Sequence, residues 1–517
     1  MALLRSITTV GGYTMLSRIL GFVRDILIAA ILGAGMVADA FFVAFKLPNL
    51  FRRLFAEGAF ASAFVPLYAG DLESRGAEEA KTFAEDVFAM LAVALLFFVA
   101  AVEILMPWIM MAFAPGFLAD PEKFDLTVHL TRITFPYLLF ISLVSMLSGV
   151  LNSLGRFAAA AATPALLNLF LIGAILVLTP MLPTPGHALA WGVAAAGVAQ
   201  FAWLFVACGR AGTWLRLRRP RLTPKVKLLL KRIVPVALGA GVYQVSLVID
   251  MVVASLLPAG SISYLFYADR VTQLPLGVVG VAVGTALLPL LSRQVRAGDD
   301  GQAMGSQNRA IEFALLLTLP AAAALVVMAD PVIRVLFERG RFGAAETQAT
   351  AAALAVFAAG LPAYVLVKAL APGFFAREDT ATPVKISVAC LAVNLILVLI
   401  LMRPLLHVGI ALATVISSWL NAGLLGVVLY RRGHLRLDAR LKGRLPRLAL
   451  ATMGMAAALW PLQTALASML SGPASSRVAG LAVLVGAGLA AFALLAHLLG
   501  VARIGDLKAL YKGRAAT

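Results

Sequence analysis

What this chain has little of narrows its class first. Charged residues make up 13% of its 517 positions, about half the share of a soluble domain. Its two cysteines, Cys208 and Cys390, both lie in apolar runs, so neither a disulfide framework nor a zinc centre is indicated. The five histidines, at 129, 187, 407, 434 and 497, are scattered without ligand spacing. No GxxxxGKS/T, HExxH or GxSxG pattern occurs; the phosphate cradle, the zincin helix and the nucleophile elbow are missing, so no catalytic residue and no metal ligand is assigned. Long apolar runs such as Leu91–Val102 and Leu391–Met402 lack the alternation of a barrel wall. Acidic side chains are the scarcest charge, 25 against 43 basic ones, leaving a formal net charge of +18. In a membrane chain that excess reads as loop charge setting topology, so no nucleic-acid partner is expected. Arg5 is followed by no small-residue cleavage site after a short apolar core, which marks the N-terminal segment as a first span, not a removed signal peptide.

What is there is hydrophobic: 62% of residues are apolar. A spanning helix needs about 20 mainly apolar residues, and lipid offers the backbone no partners outside helices or closed barrels. The expected fold is an all-α polytopic membrane protein with fourteen transmembrane helices. The spans fall at approximately 11–33, 36–68, 84–113, 127–154, 160–181, 187–209, 230–257, 261–292, 308–329, 346–374, 382–402, 407–430, 446–470 and 476–500. With the N-terminus cytoplasmic, 29 Lys and Arg fall in cytoplasmic segments and 7 in external ones. That asymmetry predicts an even span count with both termini in the cytoplasm.

An internal repeat follows at an offset of about 225 residues. Asp25 matches Asp250, Gly35 matches Gly260, and Phe64-Val65-Pro66-Leu67 matches Leu287-Leu288-Pro289-Leu290. Pro107 falls near Pro331, Phe135-Pro136 near Leu361-Pro362, and Thr163-Pro164 near Thr382-Pro383. The predicted organisation is therefore an N-lobe at 1–210 (spans 1–6), a C-lobe at 211–435 (spans 7–12), and 436–517 with spans 13 and 14 and a tail. Six spans per copy make the two lobes parallel, related by a pseudo-twofold axis along the membrane normal. Transporters built from repeats place substrate near the midplane at the repeat interface.

Residues 14–66 are apolar enough for two spans, with a tight turn at Gly33-Ala34-Gly35, yet carry Arg18, Arg24, Asp25, Asp39, Lys46, Arg52, Arg53 and Glu57. Each charge at the centre of a lipid-facing helix costs about 2.5–3.5 kcal/mol. The expectation is a water-filled cavity with the arginines directed into it. From the external turns, Arg24 lies about 14 Å deep and Arg270 about 15 Å, near the middle of a core about 30 Å thick. Duller readings stand beside this one. Arg18, Lys46 and Lys368 have stems long enough to snorkel, Arg53 and Glu57 are spaced to pair on a helix, and Asp39 is close enough to the external turn to cap or pair there. Asp25 and Asp269 read as charges that balance the arginines or pair across helices. Guanidinium forks match phosphate oxygens, which points to an anionic substrate. A cavity for cationic drugs would want carboxylates instead.

The run SRILGFVRDILIAAILGAGMVADAFFVAFKLPNLFRRLFAEGAFASAFVP at 17–66 resembles the N-terminal signature of the MurJ (MviN) lipid II flippases. So do YADRVTQLPLGVVGVAVGTALLPLLS at 267–292, APGF at 114–117, ITFPYLLFISL at 133–143 and LAPGFFAREDTATPVK at 370–385. The resemblance covers essentially the whole chain and implies the two-lobed fold of the multidrug/oligosaccharidyl-lipid/polysaccharide (MOP) transporter superfamily. It implies transport for peptidoglycan and cell-wall biogenesis: flipping of lipid II, the undecaprenyl-diphosphate-linked precursor, between leaflets of the bacterial inner membrane. Family arginines needed for activity fall on Arg18, Arg24, Arg52 and Arg270; Asp39, Arg53 and Glu57 also match positions the family depends on. Spans 13 and 14 would then form the groove for the lipid tail.

The resulting expectation is alternating access without covalent chemistry. Arg18, Arg24, Arg52, Arg53 and Arg270 would bind the diphosphate, with Asp25, Asp39, Glu57 and Asp269 as supporting or gating charges. No cofactor is expected. Coupling could come from the membrane potential, worth about 2.3 kcal/mol per charge per 100 mV, or from sodium held by Asp250, Asn394 and Thr414. Expected partners are lipid II and membrane lipids, with the chain a monomer. An exporter of another polyprenyl-diphosphate-linked oligosaccharide, or of a drug, on the same fold is the alternative. A membrane enzyme would need a nucleophile or carboxylate cluster that Asp39 and Glu57 are too far apart to make, and a structural scaffold would carry no central charge.

Overall fold

The computed structural model describes residues 2–53 and 60–501, leaving aside the side chains of residues 2–7, 235–243, 245, 246, 278, 281, 282 and 285. Its helices are Ala2–Leu32 (α1), Met36–Phe51 (α2), Ala61–Ser74 (α3), Ala77–Phe113 (α4), Pro121–Thr134 (α5), Tyr137–Ser153 (α6), Phe157–Val177 (α7), Pro185–Arg210 (α8), Pro224–Ser255 (α9), Ser261–Arg296 (α10), Asp300–Val327 (α11), Ala329–Phe337 (α12), Ala344–Phe375 (α13), Ala381–Arg431 (α14), Ala439–Ala465 (α15), Ala467–Leu470 (α16) and Ala474–Leu498 (α17). Among the described residues the only extended pairing is one isolated bridge between Arg339 and Phe342. The all-α expectation holds.

Nine helical segments among the described residues are long and apolar enough to cross a membrane. α1 and α2, which carry several of the charges singled out above, are not among the nine. Boundaries follow local chemistry. Thr223 and Asp438 accept from the N–H groups of Val226 and Leu441, and Asp120 accepts from Lys123 with Pro121 at the first helical position; these caps satisfy amides that have no partner inside the helix. The turn after α1 is made by Gly33 at φ 71°, and the corresponding turn before α10 by Gly260 at φ 94°. Inside α14 the backbone leaves helical geometry at Leu406 (φ 50°, ψ −130°). This break falls between the expected spans at 382–402 and 407–430.

By packing the chain divides into two compact units: residues 1–263 with 339–342, and residues 264–338 with 343–517. The expected boundaries at 210/211 and 435/436 are not where packing divides the chain. α9 belongs to the first unit because both of its ends are tied there. Lys225 Nζ lies 2.7 Å from Asp71 Oδ2 on α3, and Gly116 N–H donates to Ser255 Oγ at 3.1 Å. The linker before α9 is held as well, since buried Glu85 of α4 accepts from the Arg216 N–H at 3.0 Å and pairs with Arg218 at 2.5 Å. In the second unit, Leu441 and Leu448 of α15 share one core with Ile311 and Leu315 of α11 and Leu370 of α13. Glu312 is bonded by Arg309 and Arg444, and Arg309 also reaches Asp438. Arg477 of α17 pairs with Glu338 at 3.2 Å. The last two long helices are thus integral to the second unit.

The segment 339–342 docks on the end of α1. Arg341 N–H donates to the Ala30 carbonyl at 2.8 Å, and Gly340, at φ 59°, faces that same carbonyl so closely that a Cβ would collide with it. Gly155, at φ 72°, has open space around it. Gly155→Ala should therefore cost only the left-handed backbone term, about 1–2 kcal/mol. Gly340→Ala adds a backbone collision and should lower the melting temperature of the purified protein clearly further; equal shifts would refute the docking.

In the loop before α14, the Thr382 hydroxyl and N–H and the Arg432 guanidinium hold the Asp379 carboxyl below its ordinary range. A folded pKa below the unfolded one gives stability that is present above about pH 4 and lost as pH falls through the folded value. Asp379→Asn should lower thermal stability at neutral pH and flatten its decline between about pH 5 and pH 3. Parallel melting curves for the two proteins over that range would refute this.

Candidate functional site: charges on the charged helices

On α1, Ser17, Gly21 and Arg24 fall on one stripe at spacings of four and three. α7 packs against that stripe with a single amide, Asn168. Its Nδ2 donates to the Ser17 carbonyl at 2.9 Å, and Gly21 leaves the room, a Cβ there standing 3.4 Å from Nδ2. Arg24 is only 8% exposed. Its Nε and Nη2 donate to Asp25 Oδ1 at 2.9 and 2.6 Å, and Nη1 donates to Asn168 Oδ1 at 2.8 Å. The expectation that Arg24 points into water is corrected. A guanidinium removed from water needs its charge and donors met, and the neighbouring carboxylate bends back to do so although the two Cβ atoms diverge.

Asp39 opens α2 and is 1% exposed. It accepts from Lys123 Nζ (2.9 Å), Gly260 N–H (2.7 Å), Ser263 N–H (3.0 Å) and Ser263 Oγ (2.7 Å). The Lys123 ammonium, also buried, lies 4.1 Å from the centre of the Phe117 ring. A carboxylate beside the amides that begin a helix is favoured by their aligned dipoles, so Asp39 caps α10 at its first turn. The pairing read from the sequence is found, with partners that sequence distance concealed.

Arg52 ends α2, past Pro48, and is half-buried; its Nε donates to Asn49 Oδ1 at 3.1 Å. Arg18 and Arg53 are exposed. Glu57, the expected partner of Arg53, lies outside the described residues. On α10, the half-buried Arg270 stacks over Phe266 at 4.7 Å, which places a cation on a ring face. Asp269 is exposed and bonded to Gln273, one turn on. Asp250 is half-buried on α9, Asn394 is 6% exposed on α14, and Thr414 donates to the Ile410 carbonyl at 3.0 Å. No group of three or more His, Cys, Asp or Glu that could hold a metal occurs among the described residues.

Arg24 is thus neutralised by Asp25, whereas Arg18 and Arg53 are exposed. Asn168 and Lys123 went unnoticed in the sequence. The signal for Asn168 was available: a lone amide in the apolar run 157–177 is expensive in lipid and must find a partner. For Lys123 there was none, because its role depends on where α5 packs.

Removing one partner of a buried ion pair leaves the other uncompensated, a loss of roughly 3–5 kcal/mol. Asp39→Ala should therefore cut thermal stability strongly, and Lys123→Met in the same chain should recover part of the loss. Additive effects in a double-mutant cycle would mean the pair is not coupled.

A family model described as lipid II flippase MurJ matches residues 28–472. A probable lipid II flippase MurJ of Rhizobium meliloti (strain 1021) is 47% identical over 514 residues, 98% of this chain and 96% of that protein. One from Vibrio cholerae is 38% identical over 517 residues, 98% of each. Among solved structures, lipid II flippase MurJ in an inward closed conformation superposes with a TM-score of 0.78 at 25% identity, covering 95% of this chain and 98% of that one. An inward-facing multidrug resistance MATE transporter of the MOP superfamily shares the fold, with a TM-score of 0.68 at 15% identity over 82% of this chain and 97% of its own. With a family model spanning most of its length and a relative near half identical end to end, this chain belongs to the MurJ lipid II flippase family of membrane transporters.

Proposed function

We propose that this protein moves lipid II, the lipid-linked peptidoglycan precursor, from the cytoplasmic to the outer leaflet of the bacterial inner membrane. The observation that carries the reading is the presence of guanidinium groups on α1, just past the end of α2 and on α10 in a chain that matches the family along most of its length. A diphosphate presents oxygens on two phosphorus centres, and arginine meets such oxygens with paired, charge-assisted hydrogen bonds that persist at any physiological pH. Arg18, Arg52, Arg53 and Arg270 hold the diphosphate in this reading. Arg24 joins when a phosphate oxygen displaces Asp25 from its guanidinium, and the released carboxylate gives the bound substrate a means of altering α1.

The chemistry is binding and release with no covalent step. Alternating access supplies the movement: substrate binds one conformation more tightly than the other and shifts the population accordingly. Fourteen spans follow if α14 counts as two and α1, α2 with α3, α9 and α10 each cross, which returns both termini to the cytoplasm. The chain acts as a monomer, α15 and α17 accommodate the polyprenyl tail, and the driving force is the membrane potential on the arginines or sodium at Asp250, Asn394 and Thr414.

Arg18→Ala, Arg52→Ala and Arg270→Ala should each reduce flipping of the precursor in reconstituted vesicles at least about tenfold, because a hydrogen bond to a charged group contributes roughly 1.5–3 kcal/mol. Insertion and melting temperature should stay near those of the parent. Parent rates in all three variants would refute the diphosphate role.

A further inference from the structure

Lys368 lies on the α13 face that its neighbours leave open. Val365 and Ala369 are fully buried in the core shared with Val279 and Val283 of α10, which fixes the rotation of α13. Lys368 is exposed, and among the described residues it has no ion pair and no hydrogen bond. Its stem does not run out along α13, as a snorkelling side chain would. It crosses to α10 and lies in a notch at Gly280, where a Cβ would stand 2.9 Å from Nζ and 3.1 Å from Cδ. One turn earlier, the Tyr364 ring rests on Gly360, where a Cβ would stand 2.7 Å from Cζ. On α10, Asp269, Gln273 and Gly280 fall on one face at spacings of four and seven, and Asp269 is occupied by Gln273.

Depth gives the ammonium its meaning. Gly280 is ten residues beyond Arg270, about 15 Å nearer the cytoplasm along the helix. With Arg270 near mid-membrane, Nζ stands about half a hydrocarbon thickness below it, at the level of the cytoplasmic leaflet's phosphates. A diphosphate lipid in that leaflet holds its charge at this height before any movement begins. We propose that Lys368, seated in the Gly280 notch, is the loading contact for the diphosphate of a polyprenyl-linked substrate, which then passes to Arg270. This rests on the transport reading above and adds a subsite to it. Lysine suits a transient contact: its ammonium is a compact, hydrated charge with rotatable donors, without the fixed two-point fork by which arginine retains a phosphate.

The test uses the full-length protein in nanodiscs of zwitterionic lipid, titrated separately with a polyprenyl diphosphate, an uncharged polyprenol and phosphatidylglycerol. Lys368→Met keeps the stem and removes the charge; it should weaken polyprenyl diphosphate binding about tenfold, leave polyprenol unchanged and affect phosphatidylglycerol little. Lys368→Arg should restore most of the affinity. In transport assays Lys368→Met should raise the half-saturating substrate concentration while sparing the maximal rate, whereas Arg270→Ala should lower the maximal rate. Unchanged diphosphate binding in Lys368→Met overturns the proposal, and so does an equal loss for phosphatidylglycerol, which would mark a site for any anionic headgroup. If Arg270→Ala loses binding while Lys368→Met keeps it, the loading contact fails and the transport reading stands. If both keep full affinity, the transport reading itself fails.

Discussion

An ionised side chain withdrawn from water must be met by an opposite charge or by a full set of hydrogen bonds. In this chain that requirement decides which helices touch. Arg24 is met by Asp25 and Asn168, which draws α7 onto α1. Asp39 is met by Lys123 and by the first amides of α10, which fixes α5 and the α9–α10 turn beside α2. Glu85 is met by the Arg216 amide and the Arg218 side chain, which holds the α8–α9 linker against α4. Apolar packing is non-directional. These three buried charges give the first unit its register.

The same requirement separates two groups of arginines. Those whose charge is already met, Arg24 foremost, resist a ligand unless it outcompetes their partner. Arg18 and Arg53 are exposed, and Arg270 stacks on Phe266. On the transport reading proposed above both behaviours are useful: an anion must be held and then lost, and a competing carboxylate such as Asp25 would lower the cost of release.

Glycine and proline set where the helices can turn and approach. Gly33 and Gly260 take left-handed backbone in the corresponding turns of the two sequence copies, although the copies align Gly260 with the extended Gly35 two residues on. Gly116 lets the loop after α4 press on the Ser255 carbonyl at the end of α9, and Gly340 lets 339–342 press on the end of α1. A side chain at either place would strike backbone, which cannot rotate away. Both sequence copies carry a glycine turn, at Gly33 and at Gly260, whereas the packing units follow the ties on α9 and divide the chain elsewhere.

The sequence by itself determined the all-helical class, most span positions, the turns at Gly33 and Gly260, the break inside 382–430, and the set of arginines that must be explained. These are local properties: apolar run length, glycine freedom and the cost of a charge in lipid are all written in consecutive residues. Tertiary structure alone decided which charges are satisfied. Arg24 and Arg18 read alike in sequence, yet one is buried in a pair and the other exposed, because a helix face acquires meaning only from the helix packed on it. For the same reason Lys123 was invisible as the partner of Asp39, 84 residues away, and Lys368 could be read as snorkelling until Gly280 of α10 was found beneath its stem.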